Sequence, residues 1–509
     1  MNQKRSGFGT RIGFELAAAG SAVGLGNLWG FPYKTSANGG AAYLFVYLAC
    51  ILLVGAVAML AEFYIGRRSR ANTVSAYKAI SPGWGWLGLL VVVIPAMIMC
   101  YYLVLGGYTV KYALGSFVGN AGNYEKFAGN TGDVILHTAV FALPAAAIVI
   151  AGVRNGIEKA AKLLLPTMLV ILIVISCVSL LLGEGVQEGL SFYLKPDFSK
   201  LTGAGILSAM GQAFFSLSLG CGAMITYGSY SGKTVDLVHS TVVVCLLDGL
   251  LTFLSGLAIF PALFHYAAVS GESLSALGMG GTGLMFITLP MVFQDMGLAG
   301  QIFSLLFFTM TAIAALTSII SILEVVTQFI IQRYKVARTR AVSIVVFACL
   351  ALSVPVGISL GLDVNGAAGL QLFGRNLLEL LDSITNTLLM PLAALGACVA
   401  VGWKLPKSER FSGFAGTMVR VVTPILIVVI LVFGAVDMIV PAIEGKRVYS
   451  PDGFGILLTA VGIVILTVLA YFLILKNRDT GSNRDEARAN ARRDEAFQAG
   501  LRRGWQRPE

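Results

Sequence analysis

Residues 20–32, "GSAVGLGNLWGFP", decide how this chain folds. They lie inside an apolar run long enough to cross a bilayer, where a lipid-facing helix would be built from leucine. Instead the stretch carries Gly20, Gly24, Gly26, Gly30, the polar Asn27 and a closing Pro32. A break here frees backbone N–H and C=O groups that hydrocarbon cannot satisfy, so the segment must line a polar cavity inside the protein. Freed amides at the start of a half-helix attract an anionic group such as a carboxylate. Freed carbonyls are hard oxygen donors of the kind that coordinate Na⁺. The helix is broken in order to bind something.

The rest of the chain supplies the bilayer. Of 509 residues, 57% are hydrophobic and 12% charged, against about 25% charged in a soluble domain. The apolar residues fall in runs of roughly 20, the length that spans hydrocarbon. Twelve such spans are expected, at 12–33, 41–66, 86–118, 134–152, 161–183, 204–230, 237–267, 298–332, 339–359, 371–402, 416–439 and 453–475. With the N-terminus inside, the cytoplasmic loops hold 19 Lys and Arg residues against 7 outside, before the tail is counted. That asymmetry places both termini in the cytoplasm. It also accounts for the net charge of +10 without a nucleic-acid partner. No cleavable signal peptide stands out, because the first apolar run continues into a full span. The seven cysteines fall in expected spans without metal-like spacing and read as small apolar residues, with no disulfide expected. Residues 476–509 form a mixed-charge, alanine-rich tail, read as a frayed surface helix or a partner-docking segment.

A second interruption, "FFSLSLGCGA" (214–223), falls in the sixth run. Two glycine-rich breaks at matching positions, in the first and sixth spans, are the expected mark of a transporter built from two inverted repeats, with glycines for close helix packing as the alternative. The expected organisation is a cytoplasmic segment at 1–11, repeat one at 12–183, repeat two at 204–402, two further spans within 416–475, and the tail. Other polar groups sit at the same depth. Asp248, in "CLLDGLLTF", faces a cavity, a cation or a hydrogen-bonding neighbour helix, since a carboxylate at mid-span costs roughly 2.5–3.5 kcal/mol. Thr317 and Ser318 place adjacent hydroxyls on the eighth span, to serve an ion or to bond back to their own helix. Glu62 and Glu324, near the cytoplasmic ends of spans 2 and 8, suit either salt bridging or transport chemistry. "GSYSGKT" (228–234) is one residue short of a phosphate loop, and His137, His239 and His265 form no zinc pattern. ATP-driven transport and hydrolysis are therefore not expected.

The stretches "GSAVGLGNLWGFPY", "NGGAAYLFVY", "EFYIGR", "CYYLVLGGYT", "GQAFFSLSLGCGAMITYGSY" and "AALTSIISILE" occur in order over roughly residues 5–335. Together they resemble the neurotransmitter:sodium symporter family and its LeuT fold, an all-α membrane protein with twelve spans, a 5+5 inverted repeat and discontinuous helices 1 and 6. The resemblance implies two Na⁺ ions accompanying an amino acid or amine. The first ion would be held by Ala22, Asn27, Ser216 and Asp248, and the second by Gly20, Val23, Ala314, Thr317 and Ser318. The substrate would touch Ala22, Gly26, Ile98, Tyr102, Phe215, Ser216, Ser218, Cys221, Ser318 and Ile322, with Tyr102 bonding its carboxylate and Phe215 as lid.

The departures carry information too. Gly24 stands where the family's monoamine transporters have an aspartate, which favours an amino acid with its own carboxylate. The family's "WRFP" reads "WGFP", so Gly30 replaces the arginine of the outer gate and leaves Asp382 without that partner. Arg5 of the inner gate is kept, but its aspartate is replaced by Gln332, so closure is expected to rest more on Tyr102, Phe215, Phe8 and Tyr230. Tyr47, Gln212, Ser216 and Thr252 would surround the family's chloride place; a fixed carboxylate at Asp248 would supply that charge, so chloride independence is expected. Gly156 and Pro166 weaken the start of span 5, either as an ordinary helix start or as an end that unwinds. Cys221, at a position that is a bulky aromatic in some members, enlarges the pocket, pointing to neutral, larger hydrophobic amino acids. The expected function is sodium-coupled import at a bacterial inner membrane by a protein that is not an enzyme. An amino-acid sensor with little transport, a proton-coupled carrier using Asp248 and a channel are the rival readings.

Overall fold

The computed structural model describes residues 7–118, 124–271, 283–364 and 376–432, and every regular element among the described residues is helical. Among the described residues, nine helices are long and apolar enough to cross a membrane: Ala41–Ser69, Pro82–Phe117, Thr131–Ile150, Val153–Leu180, Leu237–Ser270, Gly300–Tyr334, Arg338–Gly361, Leu377–Lys404 and Gly413–Val432. They correspond to expected spans 2–5 and 7–11 and keep those numbers below. The twelfth expected run and the charged tail lie outside the described residues. Large apolar side chains stand exposed on several of these helices, among them Phe347 at 76%, Leu163 at 68% and Leu143 at 67%. Water would not tolerate such a surface over so many turns, whereas lipid does.

Expected spans 1 and 6 are each split in two. The first runs as a helix over Arg11–Ala22, started by the Thr10 side chain accepting from the Gly13 N–H. It stops at Val23, whose backbone is extended, and resumes through a wide turn, Gly26–Gly30, into Phe31–Ala37. Pro32 stands in the first turn of that second half, where its missing N–H costs nothing. The sixth runs over Gly203–Ser216, breaks across 217–222, and resumes over Ala223–Tyr230. Here the backbone turns left-handed at Ser218 (φ 52°), Gly220 (φ 79°) and Gly222 (φ 77°), the region that glycine enters without strain.

Packing places both breaks centrally. Spans 3 and 8 lie against each other along much of their length, and span 8 also packs on Arg11–Ala22 and on Ala223–Tyr230. Span 2 packs closely on Ala223–Tyr230. Small residues make that approach possible: a Cβ on Gly66 would lie 1.9 Å from the Ile225 carbonyl oxygen.

Span 5 corrects its expected start: the apolar helix begins at Val153, not at 161. Its first turn is charged and so looks like a loop in the sequence, but Glu158 is buried. It accepts from the Gly9 N–H (2.6 Å) and the Thr10 hydroxyl (2.8 Å) and pairs with Lys162 (2.7 Å). The charges are thereby absorbed into the helix, which continues unbroken past Pro166 as Glu158–Leu180.

Candidate functional site

The last carbonyls of a helix have no partner within it. At the end of Arg11–Ala22 two of these, on Ser21 and Val23, turn to hydroxyls from other helices. Ser218, in the break of span 6, donates to the Ser21 oxygen at 2.7 Å. Ser318 of span 8 lies 3.3 Å from the same oxygen and 3.4 Å from the Val23 oxygen. The two breaks are thus joined directly, with span 8 closing the third side. Thr317 donates to the Ala314 carbonyl at 3.0 Å, and its Cβ lies 3.4 Å from where a Cβ on Gly20 would stand. The structure thus brings Thr317 beside Gly20 and Ser318 to the Val23 carbonyl, while the Ala314 carbonyl accepts from Thr317 within span 8. Ser21 and Ser321 add a hydroxyl pair, at 2.7 Å; both lie within the quoted stretches but were not singled out, since a serine in a small-residue run reads as packing.

A second cluster forms on the other side of the break. Asp248 is fully buried, and its Oδ1 accepts from Ser216 Oγ at 2.7 Å and Asn27 Nδ2 at 2.8 Å. Its Oδ2 lies 3.2 Å from the Tyr47 hydroxyl, which is 2.8 Å from Ser216 Oγ. Among the described residues no Lys or Arg reaches this carboxylate, so its charge is balanced by dipoles alone. A buried carboxyl held in that way either keeps a proton or shares its charge with a cation. Asn27 Nδ2 has three oxygens around it, from Ser216 (2.8 Å), Asp248 (2.8 Å) and Thr252 (2.6 Å). An amide nitrogen has two hydrogens, so it meets one more acceptor than it can serve. The Asn27 Oδ1, the atom of this side chain that could ligate a cation, instead accepts from the Gly24 N–H at 3.0 Å. The Asn27 amide thus turns its nitrogen, not its oxygen, to the oxygens of Ser216, Asp248 and Thr252. Ser255, not anticipated, donates to the Asn27 carbonyl at 2.8 Å and holds the wide turn in place.

Between the clusters lies the space around Gly24. A Cβ there would stand 2.3 Å from Ser318 Oγ and 2.7 Å from the Tyr102 hydroxyl, so no side chain fits without displacing both. Tyr102 accepts from the Leu25 N–H at 3.1 Å and so caps the broken end. The half-buried Phe215 ring lies 2.8 Å from where a Cβ on Gly26 would be. Cys221 is buried and donates to the Ser218 carbonyl at 3.0 Å. Ile98 and Ile322 are buried on spans 3 and 8, the helices that pack along each other.

The expected gate residues separate into inner and outer groups. Arg5 lies outside the described residues. Phe8 and Tyr230 meet, through the Phe8 N–H on the Tyr230 carbonyl (3.2 Å) and an edge-to-face ring contact with centroids 6.3 Å apart. Gln332 accepts from the Asn72 N–H and side-chain amide at 2.8 and 2.9 Å. Beside the expected inner group, Glu324, fully buried, pairs with Arg338 of span 9 and accepts from the Tyr230 hydroxyl at 2.5 Å. Of the two uses open to Glu324 in the sequence, salt bridging is the one seen. Arg338 does not stand out in the sequence because a cation at the end of a span is ordinary. Glu62 holds the span 6 break, accepting from the Gly220 N–H at 2.7 Å. In the expected outer group, Asp382 Oδ1 accepts from Asn386 at 2.6 Å.

Comparison with known proteins agrees with this geometry. The sodium:neurotransmitter symporter family model matches residues 5–126 and 123–477. An uncharacterized sodium-dependent transporter of Haemophilus influenzae is 32% identical over 85% of this chain and 98% of its own length. YhdH, an uncharacterized sodium-dependent transporter of Bacillus subtilis, is 33% identical over 80% and 90% respectively. A mouse sodium- and chloride-dependent neutral and basic amino acid transporter is 27% identical over 64% of this chain and 62% of its own. The crystal structure of MhsT in complex with L-phenylalanine superposes with a TM-score of 0.76 at 35% identity, covering 84% of this chain and all of MhsT. Two broken helices joined at a polar centre, in a sequence that the family model matches almost from end to end, make this chain a member of the sodium:neurotransmitter symporter family, a LeuT-fold membrane transporter and not an enzyme.

Proposed function

We propose that this protein imports neutral, hydrophobic amino acids by alternating access, driven by two Na⁺ ions. The single observation that carries the reading is the junction of the two breaks, where the span 1 carbonyls meet Ser218 and Ser318 while Asp248 stands buried among dipoles on the other side. One ion is held by Ala22, Asn27, Ser216 and Asp248, with the Asn27 amide turned so that its oxygen faces the cluster. The other is held by Gly20, Val23, Ala314, Thr317 and Ser318. The substrate carboxylate lies by the freed amides near Tyr102 and the first ion. Gly24 supports an amino acid over an amine, because Ser318 and Tyr102 leave no room for the carboxylate side chain that would bind an amine. Buried Ile98, Ile322 and Cys221 support an uncharged side chain, and the phenylalanine bound by MhsT agrees with this class.

Each Na⁺ moving inward through 100 mV contributes about 2.3 kcal/mol, before its concentration gradient is counted. Asp248 makes chloride unnecessary by holding a fixed negative charge beside Tyr47, Ser216 and Thr252. The arrangement is twelve spans in a 5+5 inverted repeat, with both termini cytoplasmic, in a bacterial inner membrane.

Calorimetric titration of the purified protein with leucine, methionine or phenylalanine tests this, in NaCl, KCl and sodium gluconate. Binding in both sodium salts and not in potassium is the expected outcome. Equal binding in potassium would remove sodium coupling, and loss in gluconate would return the chloride site.

A further inference from the structure

Span 3 begins between two cations. Lys404, the last residue of span 10, holds its Nζ 5.9 Å from the centre of the Trp84 ring. Lys78, on the short helix Thr73–Ile80, lays its stem over the next residue along: a Cβ on Gly85 would stand 2.5 Å from Lys78 Cε. Both ammonium groups therefore flank residues 84–85. The packing beneath them is close. A Cβ on Gly88 would lie 2.5 Å from Val74 Cα, and one on Gly396 would lie 2.4 Å from Leu87 Cδ2. Thr73–Ile80, span 3 and span 10 meet at this corner.

Neither lysine is used up inside the protein. Both are exposed, and among the described residues neither makes a hydrogen bond or an ion pair. Glu409, an acid of the adjoining loop, is taken by Arg68. Arg410 is committed too, to the carbonyls of Trp403 and Leu405 at 2.6 and 2.7 Å. An ammonium has three donors, and a ring face meets it from one side only. The surface beside these cations is apolar. Trp86 is 62% exposed and Trp403 56%. Two turns further along span 3, Val93 is exposed on the same face as Trp86, as is Leu392 on span 10. Exposed tryptophans next to lysines, at the edge of an apolar surface, mark a membrane interface. A soluble anion would use the lysines alone, whereas a phospholipid uses the lysines and the apolar face together.

We propose that this corner binds the headgroup of an anionic phospholipid. Its phosphate lies between Lys78 and Lys404, and its glycerol and first chain carbons lie against Trp86 and Trp403. Bound there, the lipid fastens Thr73–Ile80 and span 10 to the start of span 3, the helix that carries Tyr102. Basic pockets between membrane helices take acidic headgroups in this way. The site requires a chain that spans a membrane, and it is independent of what the chain transports.

The test is lipid binding to the purified full chain in detergent, read by native mass spectrometry as dioleoylphosphatidylglycerol or dioleoylphosphatidylcholine is added. The wild type is expected to hold phosphatidylglycerol roughly tenfold more tightly or better. One basic group near a membrane surface is worth about fivefold in affinity, so Lys78→Gln/Lys404→Gln should lose roughly 25-fold for phosphatidylglycerol and almost nothing for phosphatidylcholine. Lys159→Gln/Arg340→Gln removes the same charge from exposed positions elsewhere and should change neither lipid by more than about twofold. Trp86→Ser/Trp403→Ser should weaken both lipids, because the apolar contacts do not depend on the headgroup. Phosphatidylglycerol should also raise the melting temperature of the wild type more than that of the double-lysine variant, a readout that survives loss of lipid in the spectrometer. Equal binding of the two lipids by the wild type would overturn the proposal. So would an equal loss in the Lys159/Arg340 pair, since net charge alone would then explain the attraction. Displacement of the lipid by millimolar glycerol 3-phosphate would make a soluble phosphate the occupant and remove the membrane reading.

Discussion

The two broken helices look alike in sequence and are built differently. Both breaks are rich in glycine and small residues. In span 6 the glycines serve backbone conformation: Gly220 and Gly222 take left-handed angles, and the break is held from outside by Glu62. In span 1 no residue of the break has a positive φ among the described residues. There the glycines serve space, letting Ser318 and Tyr102 approach Gly24, and Phe215 approach Gly26. One break is a shaped turn that supports the site, and the other is a gap that the site occupies.

That difference predicts different failures. Gly220→Ala should be the most damaging change. It forces a left-handed alanine whose Cβ would stand 2.1 Å from the Met390 carbonyl, and the expected cost is about 3 kcal/mol, read as a lowered unfolding temperature. Gly24→Ala should keep the fold, because the atoms it meets belong to side chains, and lose uptake by more than about tenfold. If Gly24→Ala unfolds the protein and Gly220→Ala only slows it, the assignment of roles is reversed and wrong.

Ser218 sharpens the comparison, since it has the left-handed backbone of one break and bonds to the carbonyl of the other. Ser218→Ala loses the bond and keeps the strain, costing about 1 kcal/mol, whereas Ser218→Gly relieves the strain and should cost less. An equal cost for both, by thermal melts in NaCl, would mean that the bond alone matters.

The smallest effect lies far from either break. Arg68, at the C-terminal end of span 2, meets Glu409 at 2.5 Å. The bond from Arg68 holds the Glu409 carboxyl below its ordinary range. A carboxyl lowered in the folded state contributes stability above the unfolded pKa and loses it as pH falls through the folded one. The melting difference between wild type and Glu409→Gln should be slight at pH 7, as for any exposed pair, and vanish on acidification. A difference that grows in acid would contradict the sign.

The apolar runs, both breaks and most of the central polar residues were legible in the sequence, for a physical reason. Lipid allows few exceptions to an apolar, unbroken helix, so each exception is visible. Asp248, Asn27, Thr317 and Ser318 stood out in that way. What stayed hidden depends on partners that are distant in sequence. The buried first turn of span 5 looks like a loop until Glu158 is seen holding Gly9 and Thr10. Arg338 looks like an ordinary interfacial cation until its acceptor is known. The orientation of the Asn27 amide is likewise set by the Gly24 N–H and the surrounding oxygens, which no spacing rule reveals.

The most direct test of the central claim is uptake of a labelled neutral amino-acid mixture into proteoliposomes, with Na⁺ or K⁺ outside, for the wild type and Asp248→Asn. The two joined breaks should give concentrative uptake in the wild type with a sodium gradient and none with potassium, and the variant should lose that accumulation. Equal uptake with either cation, or full accumulation by Asp248→Asn, would contradict a sodium site built on the junction of these helices.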